Sequence, residues 1–326
     1  MYISQAPLRI SIGGGGTDLP AYYERHGTTF SSLAINKYIS VAVNKRFYKQ
    51  YFIRYSENEE VDKIEEIKHD IVRTALLRRN YSQGGLEIGS FADVPGGTGL
   101  GSSGTFTVAL VHALNKYFHV NADKFEVARE ATDIELRDLG RPIGLQDQYI
   151  AAFGGLSEFE VSQLGQVKAR TVQLDTKARS AIRNNLLLFY TGVKRNAALI
   201  LNSERNRFSN NFTPEDQHVK SINLVDIGLK MTSAVSDGDM EYYGELLHEY
   251  WLYKRQKQSA FTHSIVDEIY SLGVENGALG GKLVGAGGSG FVLFATNDPK
   301  RLKAAMAENK IIELKFDISD FGVRTL

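Results

Sequence analysis

Residues 94–105 read VPGGTGLGSSGT. The residues before them, 86–91, are a strand candidate. Those after, 105–118, are apolar almost all round, as in a fully buried helix. A glycine-rich turn between strand and helix directs free backbone N–H groups and the positive end of a helix dipole at an anion. Glycine permits close backbone approach, and Ser102 and Ser103 add hydroxyls suited to phosphate oxygen or Mg²⁺. Gly99, Gly101 and Gly104 also satisfy GxGxxG. A dinucleotide turn, however, does not need the paired serines, and no clear ribose-binding acid ends a second strand about twenty residues on. No Gly-Lys followed by Ser or Thr is present, so the Walker A pattern fails. The same residues also fit a plain glycine turn capped by serine.

Two further glycine clusters flank this one. SIGGGGTDLP, residues 11–20, follows a strand candidate at 2–12. Its Asp18 suits sugar hydroxyls, or equally a cap on the segment that starts at Pro20. GGKLVGAGGSG, residues 280–290, precedes a strand candidate at 291–295. It reads either as a ligand contact or as a tight loop packing two elements closely. Arg9 lies inside an apolar strand next to the first cluster, and an internal arginine normally has a partner.

The remaining chain alternates irregularly between strand and helix patterns, which indicates an α+β fold and not a regular βαβ repeat. Strands are expected at 28–35, 39–47, 51–55, 186–190 and 311–316, and helices at 62–79, 123–139 and across much of 204–275. Asp298-Pro299 opens another helix. A soft boundary near 170–185 divides the chain into residues 1–178 and 179–326. Within the 123–139 helix, Glu135 projects from a stripe of small residues and suits a metal ligand, or a surface pair with Arg129 or Arg137. Asp147 precedes an apolar run and suits a helix N-cap or a catalytic role. Lys194 and Arg195 follow a strand and can meet an anion at its end, or form a solvated basic turn.

Bulk properties narrow the function. In 326 residues, Lys+Arg and Asp+Glu number 38 each, so no global charge favours nucleic acid or an anionic membrane. There is no cysteine, which excludes thiolate chemistry and disulfides and permits a reducing, cytoplasmic setting. The seven histidines form no metal-binding pair. Neither a signal-peptide pattern nor a run of about 18 apolar residues occurs, so no membrane partner is expected.

Taken in order, APLRISIGGGGTDLP, PGGTGLGSSGT and KLVGAGGSGF resemble the three motifs of the GHMP kinases. The match spans nearly the whole chain. GGGTDLP together with ELRDLGRPIGLQDQYIAAFGG is similar to the branch acting on fucose and on D-glycero-D-manno-heptose 7-phosphate. The resemblance implies a ribosomal-protein-like N-terminal domain and a ferredoxin-like C-terminal domain. It also implies ATP and Mg²⁺ as cofactors, and transfer to an anomeric C1 hydroxyl in a route to GDP-heptose and surface polysaccharide. It assigns Gly97, Thr98, Gly99, Leu100, Gly101, Ser102, Ser103 and Gly104 to ATP, and Ser103 and Glu135 to Mg²⁺. Asp147 becomes the catalytic base, steadied by Arg9. Asp18, Gly15, Gly16, Thr17, Lys194, Arg195, Gly287 and Gly288 would meet a small-molecule sugar or sugar phosphate. Arg141 is a further candidate for a substrate phosphate. A neutral-sugar kinase and a non-catalytic sugar or nucleotide binder remain open alternatives, and the chain is a possible homodimer. Gly104 departs from the family, which commonly has alanine there, a change that reads as small.

Overall fold

The computed structural model describes residues 1–192, 214–257, 264–285 and 290–326. Two antiparallel-dominated sheets organise it. The first has the order β11-β1-β2-β5-β3-β4, with β6 and β7 attached beside β2. It is formed by β1 (Tyr2–Gly13), β2 (Thr28–Lys45), β3 (Tyr51–Arg54), β4 (Asn58–Val61), β5 (Leu86–Ala92), β6 (Leu156–Val161), β7 (Val167–Val172) and β11 (Arg324–Thr325). The second, β8-β10-β9, joins β8 (Leu186–Tyr190), β9 (Ala278–Leu283) and β10 (Phe291–Thr296).

The strands expected at 28–35 and 39–47 are one 18-residue strand, β2. Its polar interruption at Asn36-Lys37 falls where the neighbour on one side changes: residues 28–33 pair with β6, and 39–45 with β5. On the other side β1 runs along it throughout, absorbing the interruption as a register shift between Pro7 and Leu8. Tertiary pairing therefore overrode the local break signal. β1 is buried on both faces. Leu8, Ile10 and Ile12 are fully inside, and Arg9 and Ser11 alternate with them toward the site described below.

Helix α3 (Ser102–Tyr117) packs over β1 and β2. Val108, Leu110, Val111 and Leu114 are fully buried on it, each contributing up to ~1.5–3 kcal/mol from apolar burial. α4 (Lys124–Asp133) starts with a capping box in which Asp123 and Glu126 satisfy each other's backbone N–H groups. The helix expected at 123–139 does not continue evenly: α4 passes into a π-helical turn at Ile134–Asp138. The helix expected at 62–79 shrinks to a 3₁₀ turn at Ile64–Glu66 and α2 (Asp70–Leu77). The break between them is held by the Glu59 carboxylate, which accepts the Lys68 and His69 N–H groups at 2.5 and 3.0 Å.

The second sheet is covered by α8 (Met240–Lys257), α9 (Ser264–Glu275) and α10 (Pro299–Glu308). α10 has Asp298 as cap and Pro299 in its first turn, as expected. α7 (Pro214–Asp237) instead crosses to β1 and β2, packs also on α6 (Thr176–Asn185), and ties the halves together. The strand expected at 311–316 is corrected. Leu314 N–H donates to the Leu188 carbonyl, but only Glu313 forms a bridge, to Phe189, and no ladder extends from it. Expected helix at 204–213 and 258–263 lies outside the described residues.

Candidate active site

Two short helices complete the setting: α1 (Pro20–His26), after the first glycine cluster, and α5 (Gln146–Phe153), which carries Asp147 in its first turn. Asp147 is thus inside the helix, and the N-cap position belongs to Leu145. Asp18 does not cap α1 either, whose N-cap is Leu19. Its carboxylate reaches the start of α5 across the fold, accepting Gln146 N–H at 3.1 Å and Gly16 N–H at 3.0 Å. Gly144 is required beside it, because a Cβ there would lie 1.9 Å from Asp18 Oδ2. Burial pushes the Asp18 carboxyl above its usual range, the Gln146 N–H partly offsets this, and the charge of Asp147 adds to the rise.

The glycine loop at 94–101 lies between β5 and α3. Gly97, Gly99 and Gly101 all adopt left-handed φ, at 78°, 84° and 81°. Left-handed residues at alternate positions let successive N–H groups converge on an anion. The loop is pinned from both sides. Arg9 N–H donates to the Leu100 carbonyl at 3.0 Å. On the other side, a Cβ on Gly99 would lie 2.2 Å from the Val284 carbonyl oxygen, and one on Gly290 2.1 Å from that of Thr98. The third glycine cluster therefore brings the β9–β10 hairpin into backbone contact with the central loop. Thr98 hydrogen-bonds to the Pro95 carbonyl inside the loop, and the buried Ser102 hydroxyl has no hydrogen-bond partner among the described residues.

Arg9 and Asp147 meet beneath this loop. Arg9 Nε donates to Asp147 Oδ1 at 2.7 Å, Nη2 approaches the same oxygen at 2.5 Å, and Nη1 donates to the Gly99 carbonyl. The internal arginine thus ties β1, the loop and α5 together. Beside it, Ser103 Oγ donates to Glu135 Oε2 at 2.5 Å. Glu135 is fully buried, and its Oε1 accepts from Thr107 and Gln148, both at 2.9 Å. The π turn is what delivers Glu135 to this point, and such turns recur at functional sites. Neither Arg129 nor Arg137 is its partner. Arg141 is, at 3.1 Å, while Arg137 pairs with Asp133.

Arg9, Asp147, the loop, Ser103 and Glu135 are therefore gathered in one place. Thr17 turns inward: its hydroxyl is taken by the Gly14 carbonyl and Thr28, and it is 2% exposed. Its side chain thereby holds the turn beside Asp18. Arg141 is likewise engaged, by Asp70, Glu135 and Ser103. Lys194, Arg195, Gly287 and Gly288 lie outside the described residues. Sequence reasoning missed Thr107, Gln148, Gln146, Gly144 and Asp70. Only Thr107, one helical turn after Ser103, and Gln148, next to Asp147, carried a local signal.

The chain is similar to known proteins over nearly its whole length. The GHMP kinases N terminal domain matches residues 69–155, and the GHMP kinases C terminal matches residues 231–312. A curated relative from Campylobacter jejuni, a D-glycero-alpha-D-manno-heptose 7-phosphate kinase, is 27% identical over 99% of this chain and 98% of its own. A galactokinase from Thermotoga petrophila is 27% identical over 89% of this chain and 87% of its own. A crystal structure of a D-glycero-D-manno-heptose 1-phosphate kinase from Bacteroides thetaiotaomicron superposes with a TM-score of 0.79 at 22% identity. It covers 100% of this chain and 99% of its own, and shares the fold.

Proposed function

The chain belongs to the GHMP kinase family, and on that premise we propose that it transfers the γ-phosphoryl group of ATP to the anomeric C1 hydroxyl of D-glycero-D-manno-heptose 7-phosphate. The product, the 1,7-bisphosphate, would enter a route to GDP-heptose and surface polysaccharide. The observation that carries the reading is the Arg9–Asp147 pair under the glycine loop, beside the Ser103–Glu135 oxygen pair. The full-length relative from Campylobacter jejuni supports the choice of sugar.

Phosphoryl transfer needs positioning and charge neutralisation more than covalent chemistry. In this reading the backbone of residues 97–104 holds the ATP phosphates at the N-terminus of α3. Asp147 accepts the proton of the sugar hydroxyl, and Arg9 fixes which way its carboxylate faces. Asp18 sets the start of α5, and thereby Asp147, while its two oxygens keep acceptor capacity for sugar hydroxyls. A hydroxyl and a carboxylate are hard oxygen donors of the kind Mg²⁺ takes together with substrate phosphates, so Ser103 Oγ and Glu135 Oε2 fit that ion. When bound, Mg²⁺ would offset charge on the transferring phosphoryl group. The same reading makes residues 1–178 the ATP-binding domain and 179–326 the C-terminal domain, supported by the change of sheet between β7 and β8.

The test is a kinase assay over neutral sugars and sugar 7-phosphates, with the new phosphate located by NMR. We expect the heptose 7-phosphate to be consumed, with the product phosphorus coupled to the anomeric proton. Reaction only with unphosphorylated sugars such as fucose or galactose would replace the substrate. Absence of transfer to every sugar, with nucleotide still bound, would leave a non-catalytic binder.

A further inference from the structure

Glu135 presents two differently committed oxygens. Oε1 is held from within by Thr107 and Gln148. Oε2 faces Ser103 Oγ, and the Arg141 guanidinium bridges that pair: Nη1 donates to Oε2 at 3.1 Å and to Ser103 Oγ at 3.0 Å. Its Nη2 donates to both oxygens of Asp70, at 2.9 and 2.8 Å. Burial alone would raise the Asp70 carboxyl, but Arg141, helped by the Ile71 N–H and by His69, brings it below its usual range. The backbone of Arg141 is fixed as well, its N–H donating to the Glu135 carbonyl at 2.9 Å. Movement of this residue therefore means rotation of its side chain about an anchored backbone.

A fully buried carboxylate needs a counter-charge. Arg141 supplies it here, at the two oxygens that the kinase reading gives to the metal. An ion and a guanidinium cannot both occupy them. We propose that Arg141 is a tethered stand-in for the divalent cation. It neutralises Glu135 and engages Ser103, and a bound ion would compete with it for both oxygens while Asp70 keeps hold of the guanidinium. The inference rests on the Ser103–Glu135 pair being the metal site of the proposed kinase. Because the two cations compete, removing one must strengthen binding of the other. The nucleotide-free wild type then binds divalent metal weakly, since every ion must first displace Arg141.

The measurement uses the full chain without nucleotide or sugar, titrated with Mn²⁺ as probe, with free Mn²⁺ counted by electron paramagnetic resonance. Arg141→Gln is expected to tighten Mn²⁺ binding by roughly 5- to 150-fold. It should also lower the thermal midpoint in the absence of metal, and Mn²⁺ should restore it. Arg141→Lys keeps the charge but cannot span Asp70 and Glu135 with one fork, so it should fall between wild type and Gln. It also reads the effect if the Gln variant does not fold without metal. Adding Glu135→Gln to Arg141→Gln should abolish the gain. Unchanged or weaker Mn²⁺ binding in the Arg141 variants would overturn the proposal, as would a gain that survives Glu135→Gln. The kinase reading is judged separately. Sugar phosphorylation by a wild type whose Arg141 variants gain no Mn²⁺ affinity would sink only the stand-in. A gain without phosphorylation of any sugar would sink only the kinase.

Discussion

An alanine at position 104 would set its Cβ 2.6 Å from Cβ of Asp147 and 3.1 Å from the Gln148 side-chain amide. Real Cβ atoms do not approach so closely, so Asp147 or its helix must move. By residue type the exchange of glycine for alanine looks slight. Its meaning is set by what lies opposite, on α5. Gly104→Ala is therefore expected to lower kcat by about 10- to 100-fold, the order associated with misplacing a catalytic group by an ångström. KM for ATP should change little, because the left-handed residues of the loop lie before position 104. Steady-state kinetics on both substrates checks this, and an unchanged kcat would show that the packing against Asp147 is looser than described. Sequence residues that carry a charge in an apolar strand, or hydroxyls after glycines, were legible as site residues. Arg141 was legible only as a loose basic candidate. Its partners Asp70 and Glu135 come from α2 and the π turn, and no local pattern joins them.

Among the elements, α3 shows how one helix serves both core and site. Its first two turns carry Ser103 and Thr107, and farther along, His112 Nδ1 lies 2.7 Å from Ser4 Oγ on β1. Burial, with a smaller push from Lys116, lowers His112 from 6.5 to about 4. Above pH 6.5 both folded and unfolded chains hold it neutral, and it contributes nothing to pH dependence. As pH falls from 6.5 toward 4 the unfolded chain takes up the proton first, so folding stability is lost across that window. Urea unfolding at pH 7, 5.5 and 4.5 should therefore show His112→Leu gaining on the wild type as the solution is acidified. Parallel curves would remove His112 as the source.

Strands and helices with strong periodicity were readable, and their joins were not. The β9 strand hides in a glycine cluster because α8 lies against it: a Cβ on Gly280 would be 2.0 Å from the Gly244 carbonyl oxygen. The π turn after α4 has no signature in the alternation of apolar residues, yet it determines where Glu135 points.

At the scale of the whole molecule, the loop at 94–101 is built by both halves. β1 holds it through Arg9, and the hairpin of the second sheet touches it at Val284 and Gly290. The halves are joined again where Gly13 packs on Gly228 of α7 and Ser31 hydrogen-bonds to Thr232 at 2.6 Å. The chain end returns to the first sheet as β11, beside β1. Three glycine clusters far apart in sequence thus become the central loop, its brace and the turn that fixes Asp18. Their order was legible from sequence, but their contacts were not. The central claim is that Asp147, set under this loop by Arg9, takes the proton of the acceptor hydroxyl. It is tested most directly by single-turnover phosphoryl transfer with Asp147→Asn, alongside MgATP titration of the same protein. The account predicts a loss of about 10²- to 10⁴-fold in the transfer rate with nucleotide binding retained. A transfer rate equal to that of the wild type would contradict it.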